Sequence, residues 1–130
     1  MLWGMSTTNL FQVFGLLVIR YAMNDDASIR VPMEDFLNCG NPDEAIDFLG
    51  YNIYSWCGDS NYRDSGYEGR TQELIGYSVP VFFSEYGCNS VRPRKFPEVQ
   101  TIYSPPMSDV WSGAILYEWF QTENNYGEPL

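Results

Sequence analysis

VFFSEYGCN, residues 81–89, is an apolar, aromatic run that stops at a carboxylate, and a tyrosine, a glycine and a cysteine follow at once. Such a run has the composition of a strand buried on both faces, the pattern of a parallel sheet. Two further runs share it: IDFLGYNIY (Ile46–Tyr54) and SGAILYEWF (Ser112–Phe120). A weaker fourth is FGLLVIRYA (Phe14–Ala22). The C-terminal ends recur almost evenly, with 31 residues from Tyr54 to Glu85 and 32 from Glu85 to Tyr117. Between them lie helix signals. Ser65 and Glu68 have capping-box spacing before EGRTQELIGY, and Pro97 suits the first turn of PEVQTIY, which Pro105-Pro106 ends. Strand, helix and strand in about 30 residues is the βαβ unit, so the fold class is α/β with a parallel sheet.

In such sheets chemistry gathers at the C-terminal ends of the strands. Here those ends carry Asn24-Asp25-Asp26, then Asn52, Tyr54 and Trp56, then Glu85-Tyr86, then Tyr117, Glu118 and Trp119. Carboxylates, amides and flat aromatic faces with little positive charge suit the hydroxyls and apolar faces of a neutral sugar. Alternation turns Glu118 away from the side that Tyr117 faces. Trp56 and Trp119 read as packing residues before stacking ones.

Composition removes other chemistries. The chain has 130 residues, enough for one domain, with 17 acidic against 7 basic side chains and a net charge of −10. That balance argues against nucleic acid and anionic membrane surfaces as partners. There is no histidine, which removes Ser-His-Asp and Cys-His nucleophile systems and the commonest zinc sites. No cofactor or metal is expected. No run reaches the roughly 18 apolar residues of a membrane span. Leu10–Ile19 has the length of a signal h-region, but no Lys or Arg precedes it.

Cys57 lies three residues past Tyr54, and Cys88 three past Glu85. Neighbouring parallel strands run about 4.8 Å apart, and a disulfide needs about 5.5–6 Å between Cα atoms. The spacing therefore predicts a Cys57–Cys88 bridge, the alternative being two buried thiols. Cys39 is left without a partner.

The blocks NDDASIRVP, NCG, DFLGYNIYSWCGDS, SVPVFFSEYGCNSVRPR, EVQTIY and MSDVWSGAILYEWFQTENNYG, from Asn24 to Gly127, resemble the fungal cell-wall β-1,3-glucanosyltransferases, retaining transglycosidases that are usually GPI-anchored. The resemblance implies a (β/α)8 TIM barrel of which residues 23–130 supply about the second half, strands five to eight. Residues 1–22 form an unmatched N-terminal segment. It implies cleavage of a β-1,3-glucan and transfer of the new reducing end to another glucan chain, at the outer face of the plasma membrane or in the cell wall. It makes Glu85 the nucleophile, places Tyr54 beside it as the residue that orients it, and puts Tyr117 in the cleft. Asn52, Tyr126, Asp25 and Asp26 are further candidates for contact with substrate, and Trp119 for contact with an acceptor. The same mapping bridges Cys57 to Cys88.

A retaining mechanism needs a second carboxyl group about 5–5.5 Å from the nucleophile. In the family that acid/base glutamate follows an asparagine, and no Asn-Glu dipeptide occurs here. A full barrel takes about 250 residues. The chain is therefore expected to be inactive alone: a truncated fragment, or a glucan-binding remnant. A half-barrel leaves two sheet edges and its inner face open, so self-association is expected.

Overall fold

The computed structural model describes residues 12–13 and 16–127. Four parallel strands form one sheet in the order β3 (Arg20–Asn24), β4 (Phe48–Ile53), β5 (Val81–Tyr86) and β6 (Trp111–Leu116). Ahead of it, β1 (Gln12–Val13) and β2 (Leu16–Leu17) pair antiparallel. Helices α1 (Arg30–Leu37), α2 (Tyr67–Glu73) and α3 (Glu98–Ile102) fill the three crossovers. No helix among the described residues is long and apolar enough to cross a membrane.

The helices cover one face of the sheet. Leu49, Tyr51 and Ile53 of β4, Val81, Phe83 and Tyr86 of β5, and Trp111 of β6 point into this layer and are buried. Tyr67, Leu74, Ile102 and Met107 meet them from the covering elements. The Phe83 ring packs edge-on against Trp111 at 4.4 Å and against Tyr67 at 5.1 Å between centroids. The other face, with Phe48, Asn52, Phe82 and Ser84, is only half buried. The expectation of strands buried on both faces therefore holds for one face alone, because none of the described elements lies across the second.

Polar groups tie the layers together. Arg30 donates to Glu73 at 2.8 Å and to Asp25 at 3.0 Å, and Arg70 donates to Asp25 at 2.6 Å. This network joins the end of β3 to α1 and α2. The Tyr51 hydroxyl donates to the Glu34 carboxyl of α1. Burial pushes that carboxyl above the usual carboxylate range, against the pull of the Tyr51 hydroxyl.

Element boundaries differ from the sequence reading, at the first strand and the start of α2 among other places. The first strand of the sheet spans Arg20–Asn24, not the whole of Phe14–Ala22, of which residues 14–15 lie outside the described set. Residues 10–11 and 14–15 of the apolar run read against a signal h-region also lie outside it. The α2 cap is Gly66, with φ +80°, and Ser65 Oγ accepts from Tyr67 N at 3.4 Å instead of completing a capping box. Glu68 is drawn away to Arg63, whose Nε donates to it at 3.0 Å.

Candidate active site

The opening stretch owes its geometry to a break in strand alternation. Tyr51 pairs with Phe83, yet Asn52 pairs with Glu85 and Ile53 with Tyr86. One extra residue sits on β5, so β5 bulges. Phe83 and Tyr86 both point into the buried layer, and the two residues between them, Ser84 and Glu85, are both turned to the half-open face. Ser84 Oγ donates to Asn52 Oδ1 at 2.8 Å, fixing one strand on the other. Gly50 makes room: a Cβ there would stand 2.8 Å from Ser84 Cβ. Register pairs Asn24 with Asn52 and Asn52 with Glu85, so a row of amide, amide and carboxylate crosses three strand ends.

Tyr54 stands against Glu85, and two further tyrosines stand against Tyr54. The Tyr54 hydroxyl donates to Glu85 Oε2. The Tyr54 ring meets Tyr126 at 5.4 Å and Tyr117 at 6.3 Å, and those two meet each other at 5.3 Å, all close to edge-on. Burial, and then its bond to Glu85, push the Tyr54 hydroxyl well above the usual phenol range. Tyr54 thus stays a protonated donor at neutral pH. One oxygen of Glu85 is engaged by a hydroxyl donor.

Cys57 and Cys88 are disulfide-bonded with Cα atoms 5.2 Å apart, joining the segments that follow β4 and β5. The bridge stands three residues from Tyr54 on one side and three from Glu85 on the other.

The glucanosyltransferase family model matches residues 16–128. The chain belongs to the glucanosyltransferase family. It is 57% identical over 109 residues to the 1,3-beta-glucanosyltransferase of Arthroderma benhamiae, and 55% identical over 109 residues to pH-responsive protein 2 of Candida albicans. Each match covers 84% of this chain and 20% of the relative, so the chain spans about a fifth of the length of these proteins. Among solved structures it is similar to a mutant of Saccharomyces cerevisiae Gas2p in complex with laminaritetraose and laminaripentaose. That match has a TM-score of 0.81 and 50% identity, over 85% of this chain and 25% of that one.

Within this chain the residues singled out by sequence divide in two. Glu85, Tyr54, Tyr117 and Tyr126 come together, with Asn52 beside Glu85 in register. Asp25 and Asp26 are instead taken up by protein partners. Asp25 accepts from Arg30 and Arg70, and Asp26 accepts from Ser28 N at 2.8 Å and Ser28 Oγ at 2.7 Å. Trp56 packs on Tyr67 at 5.3 Å, but Trp119 is 71% exposed, against the reading of it as a packing residue. Glu118 turns to Thr122, whose hydroxyl donates to it at 2.6 Å. Cys39 is exposed and not disulfide-bonded. The sequence reading named Asn24 at its strand end but missed Ser84 and Asn124. Ser84 follows only from the bulge and the register. Asn124 donates to the Tyr117 hydroxyl at 2.8 Å through a loop contact that no local pattern announces.

Proposed function

We propose that this chain is the nucleophile side of a β-1,3-glucan transglycosidase, formed by strands five to eight of a (β/α)8 barrel over residues 23–130. The observation that carries the reading is the Tyr54 hydroxyl on Glu85 Oε2, inside a ring of tyrosines at the C-terminal ends of parallel strands. Glu85 attacks the anomeric carbon of a β-1,3-linked glucosyl unit. The glycosidic C–O bond breaks, and a glycosyl ester forms on the carboxylate. The departing oxygen takes its proton from a second carboxyl group. That group then accepts the proton of an acceptor hydroxyl as this hydroxyl displaces Glu85. Tyr54 orients the carboxylate, and Tyr117 and Tyr126 offer ring faces and hydroxyls to the sugar. Asn52 supports the row from β4. The substrate partner is a β-1,3-glucan, and the whole enzyme's place is the cell wall or the GPI-anchored outer surface of the plasma membrane.

This chain has no Asn-Glu block to supply the second carboxyl in the family manner. It therefore binds glucan and stops short of transfer. Incubation with reduced laminari-oligosaccharides, followed by mass spectrometry, tests this beside a calorimetric titration with laminaripentaose. Binding without elongated products is the expected result. Elongated products that vanish in Glu85→Gln would show a complete transferase instead, and neither binding nor products would overturn the reading.

A further inference from the structure

Three polar side chains of the segment between β5 and α3 converge on residues 117–127. Asn89 Nδ2 donates to the Asn124 and Asn125 carbonyls at 3.3 Å each. Arg92 donates to the Gly127 carbonyl at 3.3 Å and to the Asn125 carbonyl. Arg94 donates to the Tyr117 carbonyl at 2.9 Å and to the Tyr126 carbonyl. Every acceptor is a backbone carbonyl, so these contacts fix the path of the segment whatever its side chains. That path sets where the Tyr117 and Tyr126 rings stand against Tyr54. Asn124, gripped at its carbonyl by Asn89, holds the Tyr117 hydroxyl through its own side chain.

Arg94 is the centre of this clamp. It is 9% exposed, so water competes weakly for its bonds, and a charged donor strengthens them. Its guanidinium passes over Gly87, which has φ +118°, at the place a Cβ would occupy. The residues directly after the nucleophile are accounted for in turn: Gly87 admits Arg94, Cys88 ties the segment to β4, and Asn89 reaches the tyrosine segment.

We infer that Arg94, supported by Arg92 and Asn89, is a positioning residue that sets the Tyr117–Tyr126 segment against Tyr54 and so preorganises Glu85 for glucan. This rests on the reading of Glu85 as nucleophile. A residue that only stabilised the fold would act on the core and the site alike. The hydrogen bonds of the clamp go to the segment that carries Tyr117 and Tyr126.

The test uses the full chain with 13C-labelled tyrosine rings. In the unaltered chain a nuclear Overhauser contact joins the Tyr54 and Tyr126 rings, and another joins Tyr67 to Phe83 in the core. In Arg94→Met the first contact is lost and the second kept, and laminaripentaose affinity falls about tenfold, the scale of one charge-assisted hydrogen bond. Arg94→Lys restores part of both the contact and the affinity. Arg92→Met, at an exposed position, weakens the Tyr54–Tyr126 contact with the core intact, and serves if Arg94→Met does not fold. Unchanged Tyr54–Tyr126 contacts in the folded variants overturn the inference, as does loss of core and site contacts together. If the contact depends on Arg94 while the unaltered chain fails to bind laminaripentaose, the clamp stands and the glucan reading falls.

Discussion

Reducing the Cys57–Cys88 bridge is expected to remove about 3.7 kcal/mol of stability. The bridge closes a loop of sequence separation 31. The chain-entropy relation for a loop of that length gives this figure near room temperature. Single domains are stable by only about 5–15 kcal/mol, so the loss takes a large share of the total. Trp56 and Trp111 are both buried and report on unfolding. Urea denaturation followed by tryptophan fluorescence, with and without reductant, measures the difference. With a slope of about 1–1.5 kcal/mol per molar urea, the midpoint falls by roughly 2.5–3.7 M. Cys57→Ala/Cys88→Ala is expected to match the reduced chain. A fall below about 1 kcal/mol would refute the reasoning. It would mean that the β4 and β5 loops are held together in the unfolded chain, or are too strained by the bridge to profit from it.

Three further outcomes follow from particular contacts. Burial raises the Glu34 carboxyl in the folded chain, so Glu34 costs nothing below its unfolded value of 4.5 and a growing penalty as pH rises from there through the folded value. Glu34→Gln, which keeps an acceptor for Tyr51, therefore gains stability relative to the unaltered chain as pH rises above 4.5; denaturation curves showing the reverse trend with pH would count against it. Gly50→Ala puts a Cβ against Ser84 and costs about 1–3 kcal/mol, and Ser84→Gly in the same chain recovers most of it in a double-mutant cycle. Tyr21 on the β3 edge strand and Ile115 on the β6 edge strand are exposed, so size-exclusion chromatography should show concentration-dependent association; a single monomer peak with a cooperative melt would contradict that.

The repeat of apolar strand ends at Tyr54, Glu85 and Tyr117 was enough to place three parallel strands and the cysteine pair, because these strands carry long apolar runs and parallel register carries equivalent positions side by side. Helix α1 was not legible. Pro32 and Asp35 blur its periodicity, and its worth lies in Arg30 and Glu34, whose partners are distant in sequence. The β5 bulge was also hidden. A period-two reading puts Ser84 and Glu85 on opposite faces, and only the pairing with Asn52 shows that both share one. Asp25 looked like a ligand from its place at a strand end. The ion pairs that claim it come from Arg30 and Arg70, five and 45 residues away.

The most direct test of Glu85 as nucleophile removes the need for an acid. A 2-deoxy-2-fluoro-laminaribiosyl fluoride carries a leaving group that departs as fluoride without protonation, so attack by the carboxylate suffices to form the glycosyl ester. Incubating the chain with this donor and mapping the adduct by peptide mass spectrometry is expected to show one added disaccharide on Glu85, slowed in Tyr54→Phe and absent in Glu85→Gln. An unmodified chain that still binds laminaripentaose, or an adduct on another carboxylate, would contradict the account.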